Sequence, residues 1–203
     1  IYVGIDEVGV RKKGFLGSLD KHRPSLKIDF GEFKKQSPIK GMDRLTLNNN
    51  KQDTALVSQY LTYKLYEDSG QPGPRCNHAK VIVNGENLGI YSNVESFKAP
   101  LLKRVFGNDH GDLYEGTVAD FMPGYEQKLE KKTKHTGAKS VNELSTILAA
   151  EELDLEALGE VLDLDAFVKF WALESLVGFW DGYCQNQNNF FAYRNPKNNK
   201  FYF

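Results

Sequence analysis

Cysteine is scarce, with 2 in 203 residues, at Cys76 and Cys184. That excludes a disulfide-stapled scaffold, and no CxxC pair exists for redox or zinc chemistry. A single bridge stays open to these thiols if the fold brings them together. Histidine is also sparse: His22, His78, His110 and His135 fit no metal-ligand spacing. No apolar run approaches the ~18 residues that a membrane-spanning helix needs. Neither charge dominates, since 26 basic residues face 27 acidic ones and the net charge is −1. This balance argues against bulk binding to nucleic acid or a membrane surface, which requires a basic excess. The local basic run from Lys128 to Lys134 reads as a solvated helix face or loop. The opening "IYVGIDEVGV" carries neither an initiator Met nor a signal peptide, and the chain stops on the strand-like "KFYF". A longer protein is therefore expected.

What the chain does have is a hydrophobic content of 40% with 12% aromatics, enough for a real core. Its length suits one domain of two lobes or two small domains. No internal repeat occurs. In the first half, Val8 to Gly14 alternates and leads into the glycine-punctuated loop "GFLGSLDKHRP". "SLKIDF" (Ser25 to Phe30) alternates cleanly, with Leu26, Ile28 and Phe30 on one face and Ser25, Lys27 and Asp29 on the other. "LNNNKQD" reads as a turn and helix entry, with Asp53 or an asparagine as N-cap. Leu56, Val57, Tyr60, Leu61, Lys64 and Leu65 then recur at helical spacing, and Gly70 is the expected C-cap. "AKVIV", Asn84-Gly85 and "LGIYSNVE" spell a hairpin, because Asn-Gly readily takes the left-handed turn that joins two strands.

The period changes from two to 3.6 near Lys98. "KAPLLKRVFG" reads as a short helix stopped by Gly107. "GDLYEGTVADF" reads as a short strand and loop, and the stretch from Met122 to Lys139 as polar and irregular. Ser140 and Glu143 have capping-box spacing at the head of "SVNELSTILAAEE". "DAFVKFWALESLVGFW" is apolar nearly all round, which predicts a buried central helix over 164–180. It delivers the chain to "DGYCQNQNNFFAYRN", where Asp181 is followed five positions later by Asn186. "NFFAYRNPKNNKFYF" closes as a second hairpin, with "NPKNN" as its turn.

A glycine-containing loop, a strand with one lysine, a helix, two strands, helices, then acid-x4-Asn and a hairpin follow the order of parts in a protein kinase. In such a site the Asp faces the acceptor hydroxyl, while the Asn turns back to a metal beside the phosphates. A strand lysine neutralises phosphate charge, and Lys27 sits where it would do so. Ser25, two positions earlier on the same face, would lie under the base. Spacing alone leaves plainer readings open. Asp181 could be a helix-end turn residue among hydrogen-bonded amides, Lys27 an exposed strand lysine and Glu95 a strand-end acid. No His-Arg precedes Asp181, and Gly14 and Gly17 stand in poorly for a glycine-rich phosphate loop.

"RPSLKIDF", "LNNNKQD", "QYLTYKLYEDSG", "VIVNGENLGIYSNVES", "RVFGNDHGDLYEG" and "FWDGYCQNQNNFFAY" together resemble the spore coat protein H (CotH) kinase-like family, in order and over nearly the whole chain. The resemblance implies an α+β fold, atypical, protein-kinase-like and two-lobed, with its C-terminal part truncated. The expected lobes are 1–97, a sheet plus one helix, and 98–203, incomplete and mainly helical. It implies ATP and Mg as cofactors and transfer to Ser/Thr of surface, coat or secreted proteins, in an extracellular or cell-surface setting. By position Asp181 would be the catalytic acid, Lys27 the phosphate lysine, and Arg11 a further phosphate contact. Val94, Glu95 and Ser96 would form the hinge against adenine, with Glu95 closing it. Asn186 or a neighbouring amide would hold the metal, its second ligand expected beyond Phe203 in a stretch like "PWDLD". Where members often carry Arg, this chain has Ser58 with Gln59 beside it. The acid pairing with Lys27 is not evident; Glu67 is one suggestion.

The sequence thus predicts one cleft lined by Lys27, Glu95, Asp181 and Asn186, in a monomer that binds no nucleic acid. The alternative is a non-catalytic kinase-like module that assembles a coat or holds a partner, since fold does not dictate catalysis. A small-molecule phosphotransferase would share every part named here and differ only in its acceptor.

Overall fold

A computed structural model describes the chain except for residues 1–3, 6, 15–17, 37–38, 40–41 and 134–138, and the side chains of 139 and 140. Gly17 and the Ser140 side chain of the expected capping box therefore lie outside the described part. The architecture is α+β, with two antiparallel sheets and, among the described residues, six α-helices. Two compact units result, one of residues 1–69 with 73–107, the other of 70–72 with 108–203.

The first unit is built on strands β1 (Gly9–Lys13), β2 (Ser25–Asp29), β3 (Arg44–Asn48), β4 (Cys76–Val83) and β5 (Glu86–Val94), ordered β1-β2-β3-β5-β4. Leu26, Leu47, Val81 and Tyr91 bury one face, with Ile28, Leu45, Ala79 and Leu88 against them. The alternation of "SLKIDF" predicted its share of that face. The β4–β5 turn is the expected one: Asn84 and Gly85 take φ of 52° and 85°, both left-handed, as a tight hairpin requires.

Strand β3 corrects the expectation for "LNNNKQD", since Leu47 and Asn48 are strand and the turn begins only after them. The preceding Arg44 and Leu45 supply the alternation, which the run of asparagines masks. Helix α1 (Ser58–Asp68) starts later than its apolar period suggested. Asn50 and Leu56 adopt left-handed φ of 53° and 61°, so the chain turns twice before the helix can begin. The N-cap is Val57 rather than Asp53. Asp53 still serves the helix, because its Oδ2 accepts the Ser58 N–H at 2.7 Å. Gly70 (φ 69°) comes after the C-cap residue Ser69 and turns the chain away. Helix α2 (Ala99–Phe106) ends at left-handed Gly107, as its sequence implied.

The second unit holds β6 (Asp112–Gly116), β7 (Leu129–Lys131), β8 (Phe190–Asn195) and β9 (Lys200–Tyr202), ordered β7-β6-β8-β9. Helices α3 (Lys139–Leu148), α4 (Leu155–Val161), α5 (Leu164–Leu176) and α6 (Tyr183–Asn186) complete it. Strand β7, three residues long, sits in the stretch read as irregular. Helix α4 was not foreseen; Asp154 caps it by accepting the Glu156 and Ala157 N–H groups. The core joins Tyr114, Phe121, Leu144, Leu158, Phe190 and Phe201. Phe190 closes over Gly116, where a Cβ would lie 2.0 Å from its ring, so β6 needs glycine there.

Helix α5 is the main departure. Only Phe170, Leu173 and Glu174 are buried, while Val168, Trp171 and Leu176 are exposed, as are Phe179 and Trp180 beyond it. Its buried residues, at i, i+3 and i+4, lie on one face, so an all-round apolar sequence did not make this helix central.

Candidate functional site

In the first unit, strand register aligns three of the candidate nucleotide residues, Arg11, Lys27 and Val94. Arg11 pairs with Lys27, Lys27 with Thr46, and Thr46 with Val94. Directly paired residues of antiparallel strands share a face, so the four form one row across the sheet. Beside the row is a cavity of about 490 Å³ lined by Gly9, Arg11, Lys27, Asp29, Glu32, Phe33 and Arg44, among others. Asp29 is bound to Arg44 at 2.9 Å. The lining thus carries three cations against two carboxylates, and exposed Phe33 adds an aromatic ring.

Other candidates take supporting positions. Ser25 is buried, and its Oγ accepts the Asn49 N–H at 2.9 Å. Asn49 Nδ2 binds the carbonyls of Ser18 and Arg23, which ties down the end of the glycine-punctuated loop. Ser96 Oγ meets Thr46 Oγ1 at 2.9 Å, beside Val94 in the row. Glu67 binds Lys64 in an exposed pair on α1. Gln59, from the same helix, accepts from Asn48 Nδ2 at 2.9 Å, and Asn48 Oδ1 accepts from Lys13 Nζ.

Glu95 is committed to two arginines. Its side chain is only 7% exposed and meets Arg75 at 2.9 Å and Arg104 at 2.6 Å. Its own N–H donates to the Arg75 carbonyl. Burial pushes the carboxyl up, but the Arg104 and Arg75 bonds outweigh it and hold it below the usual glutamate range. A group with a depressed folded-state value contributes stability above its unfolded value, about 4.3, and loses it as pH falls through the folded value. Thermal melts should show this: Glu95→Gln costs about 1–3 kcal/mol near neutral pH, the lower end reflecting the solvated Arg75. The gap from wild type should narrow as pH falls below about 4, where wild type also loses the charge. A gap independent of pH would assign the cost to packing instead.

In the second unit, the abundance of amides after α5 has a geometric reason. Gln187 and Asn189 adopt left-handed φ of 44° and 51°, a conformation that asparagine tolerates better than most residues. Three amides converge on Asp181. Asn186 Nδ2 donates to Oδ1 at 2.7 Å, Asn188 Nδ2 to Oδ1 at 3.1 Å, and Asn189 Nδ2 to Oδ2 at 2.8 Å. The Asn188 and Asn186 amides hold the Asp181 carboxyl below the usual aspartate range, against a smaller opposing effect of burial. A carboxylate has about four acceptor positions, so roughly one, on Oδ2, remains for an incoming hydroxyl. Because the carboxylate only accepts, Asn186 must present its NH₂ to it and direct Oδ1 elsewhere. The Asn188 Oδ1 accepts the Val118 N–H.

Behind this loop stands Glu174, which sequence reading passed over because it lies inside an apolar helix. It is 5% exposed. Its Oε1 and Oε2 accept the Tyr183 and Cys184 N–H groups at 3.2 and 2.9 Å. Burial, and then Glu174, push the Cys184 thiol up to about 12, so it is no nucleophile at neutral pH. Both cysteines are free thiols. Tyr183 donates to Asp120 at 2.8 Å while its ring packs 4.6 Å from Phe190, which ties the loop to the core.

The donor set does not by itself fit a divalent cation. Among the described residues no three His, Cys, Asp or Glu are placed to hold one. Asn186 Oδ1 is neutral, whereas Mg²⁺ asks for at least one carboxylate beside the phosphates, and Asp181 is largely taken up by amides.

The sheet row belongs to the first unit and the amide-held aspartate to the second. The chain belongs to the CotH kinase family, whose model, described as CotH kinase protein, matches residues 10–203. No curated protein matches the chain. No described helix is long and apolar enough to cross a membrane.

Proposed function

We propose that the protein is an ATP-dependent kinase of CotH type that phosphorylates Ser/Thr hydroxyls of surface, coat or secreted proteins. The observation that carries this reading is Lys27 and Arg11 side by side on the polar sheet face at a cavity of about 490 Å³. In it, Lys27 and Arg11 bind the nucleotide phosphates, with Val94 and Ser96 at the base. Glu95 sets the course of that segment through its two arginines, and Ser25 holds the loop before β2. The acceptor hydroxyl donates to the open position on Asp181 Oδ2. Its oxygen forms a bond to the γ-phosphorus as the bond from that phosphorus to the β-phosphate oxygen breaks. ADP leaves with those electrons, and the hydroxyl proton passes to Asp181 and on to solvent. A carboxyl held below its usual range is a weak base, so Asp181 works mainly by orientation until the hydroxyl bond to phosphorus has formed. Asn186 would be one ligand of Mg²⁺, and the charged ligand is to be sought outside residues 181–189.

That neutral donor set favours a second reading, a kinase-like module that assembles a coat or holds a partner without transfer. Calorimetric titration of ATP into the full-length protein, with and without Mg²⁺, addresses binding. Incubation with γ-phosphate-labelled ATP and secreted or coat proteins addresses transfer. The kinase reading expects both signals. Binding without transfer favours the module, and neither signal overturns the nucleotide site.

A further inference from the structure

We infer that Glu174 is the positioning residue of the catalytic loop: its two carboxylate oxygens fix residues 182–184 and thereby aim Asp181. This rests on the kinase reading for its catalytic consequence, but not for its structural one.

Helix α5 ends at Leu176, and the chain then makes a tight turn through left-handed Gly178. Glu174 engages that turn twice. Its backbone carbonyl accepts the Phe179 N–H at 3.1 Å. Its side chain, seven residues before Asp181, reaches across to the first residues of α6 and takes both the Tyr183 and Cys184 N–H groups. Such N–H groups at a helix start lack intrahelical partners and are costly when buried unsatisfied. Gly182 records how close the approach is: a Cβ there would lie 2.4 Å from Glu174 Oε1. Asp181 is thus held on both sides, by Glu174 through its neighbours and by the amides of Asn186, Asn188 and Asn189 on its carboxylate. A glutamate buried in an apolar helix is expensive unless it is fully bonded. Here both side-chain bonds serve this turn.

Glutamine is the informative replacement. It keeps the length and volume, but one oxygen becomes an NH₂ that faces a backbone N–H. In Glu174→Gln, one of the Tyr183 and Cys184 amides should lose its hydrogen-exchange protection. The side-chain NH₂ resonances of Asn186, Asn188 and Asn189 should move towards those of solvent-exposed amides. With labelled ATP and casein as acceptor, kcat should fall about 10–100-fold while KM for ATP changes little, the pattern of an interaction needed only in the transition state. Gly182→Ala, which crowds the same carboxylate, should give the same loss, and the double variant should be no worse than either alone.

Unchanged protection and side-chain amide resonances in Glu174→Gln would overturn the inference. So would a fall in kcat accompanied by an equal loss of ATP affinity and of thermal stability, since that describes a general structural role. If the loop loosens as expected but Asp181→Asn retains transfer, the kinase assignment of Asp181 fails and Glu174 stands as the residue that orders the loop.

Discussion

Asp181→Asn is expected to lower phosphoryl transfer by roughly 10²–10⁴-fold, the usual cost of losing a positioned acid–base group. Affinity for ATP should change little, because the candidate phosphate residues Arg11 and Lys27 belong to the sheet of the first unit. The amide keeps the shape of the carboxylate but not its capacity. Asp181 accepts from three asparagine NH₂ groups and keeps about one acceptor position on Oδ2. An asparagine has one accepting oxygen, and its own NH₂ would face a donor. The hydroxyl then competes with Asn186, Asn188 and Asn189 for that oxygen. Single-turnover rates with saturating labelled ATP, beside an equilibrium titration of ATP, separate the two quantities. Transfer within about tenfold of wild type would show that orientation by Asp181 is not what the reaction needs.

The residues that were legible in sequence were those whose local chemistry admits one solution. Asn84-Gly85 between apolar runs can be little but a hairpin turn, and Gly107 after "LLKRVF" little but a helix stop. "SLKIDF" revealed its faces because alternation over six residues fixes them. What stayed hidden depended on partners distant in sequence. Strand β3 is short and runs into asparagines that announce a turn, so only pairing with β2 and β5 makes it a strand. The exposure of α5 depends on what packs against each of its faces, which helical periodicity does not encode. In the candidate site, spacing put Asp181 and Asn186 within reach of each other without deciding between a catalytic acid and a helix-end acid among amides, and the two are hydrogen bonded. Glu174 was not, because a carboxylate in an apolar helix looks like any surface residue until its N–H partners are seen. Glu95 read as a hinge residue by position, yet its carboxylate is occupied by Arg75 and Arg104, which lie 20 and 9 residues from it.

Lys27→Ala should weaken ATP binding about 10–100-fold, the equivalent of the roughly 1.5–3 kcal/mol that a hydrogen bond to a charged group supplies. The sign of its effect on the ligand-free protein should be opposite. Arg11 and Lys27 are direct cross-strand partners, and like charges opposed across antiparallel strands are destabilising. The carboxylates of Asp29, which binds Arg44 at 2.9 Å, and Glu32 stand at the same cavity. An anion between the two cations would turn mutual repulsion into shared attraction. Removing the lysine charge should therefore leave the melting temperature of the free protein unchanged or slightly higher, while reducing the increase that ATP confers on it. Binding to wild type should also weaken with added salt more steeply than binding to the variant, because one charge contact fewer is being screened. Arg11→Ala should behave alike, and the double variant should lose less than the two single losses combined, as expected when both groups act on one phosphate. A lower melting temperature in Lys27→Ala with ATP affinity intact would make the lysine a structural strand residue and would move the phosphate site elsewhere.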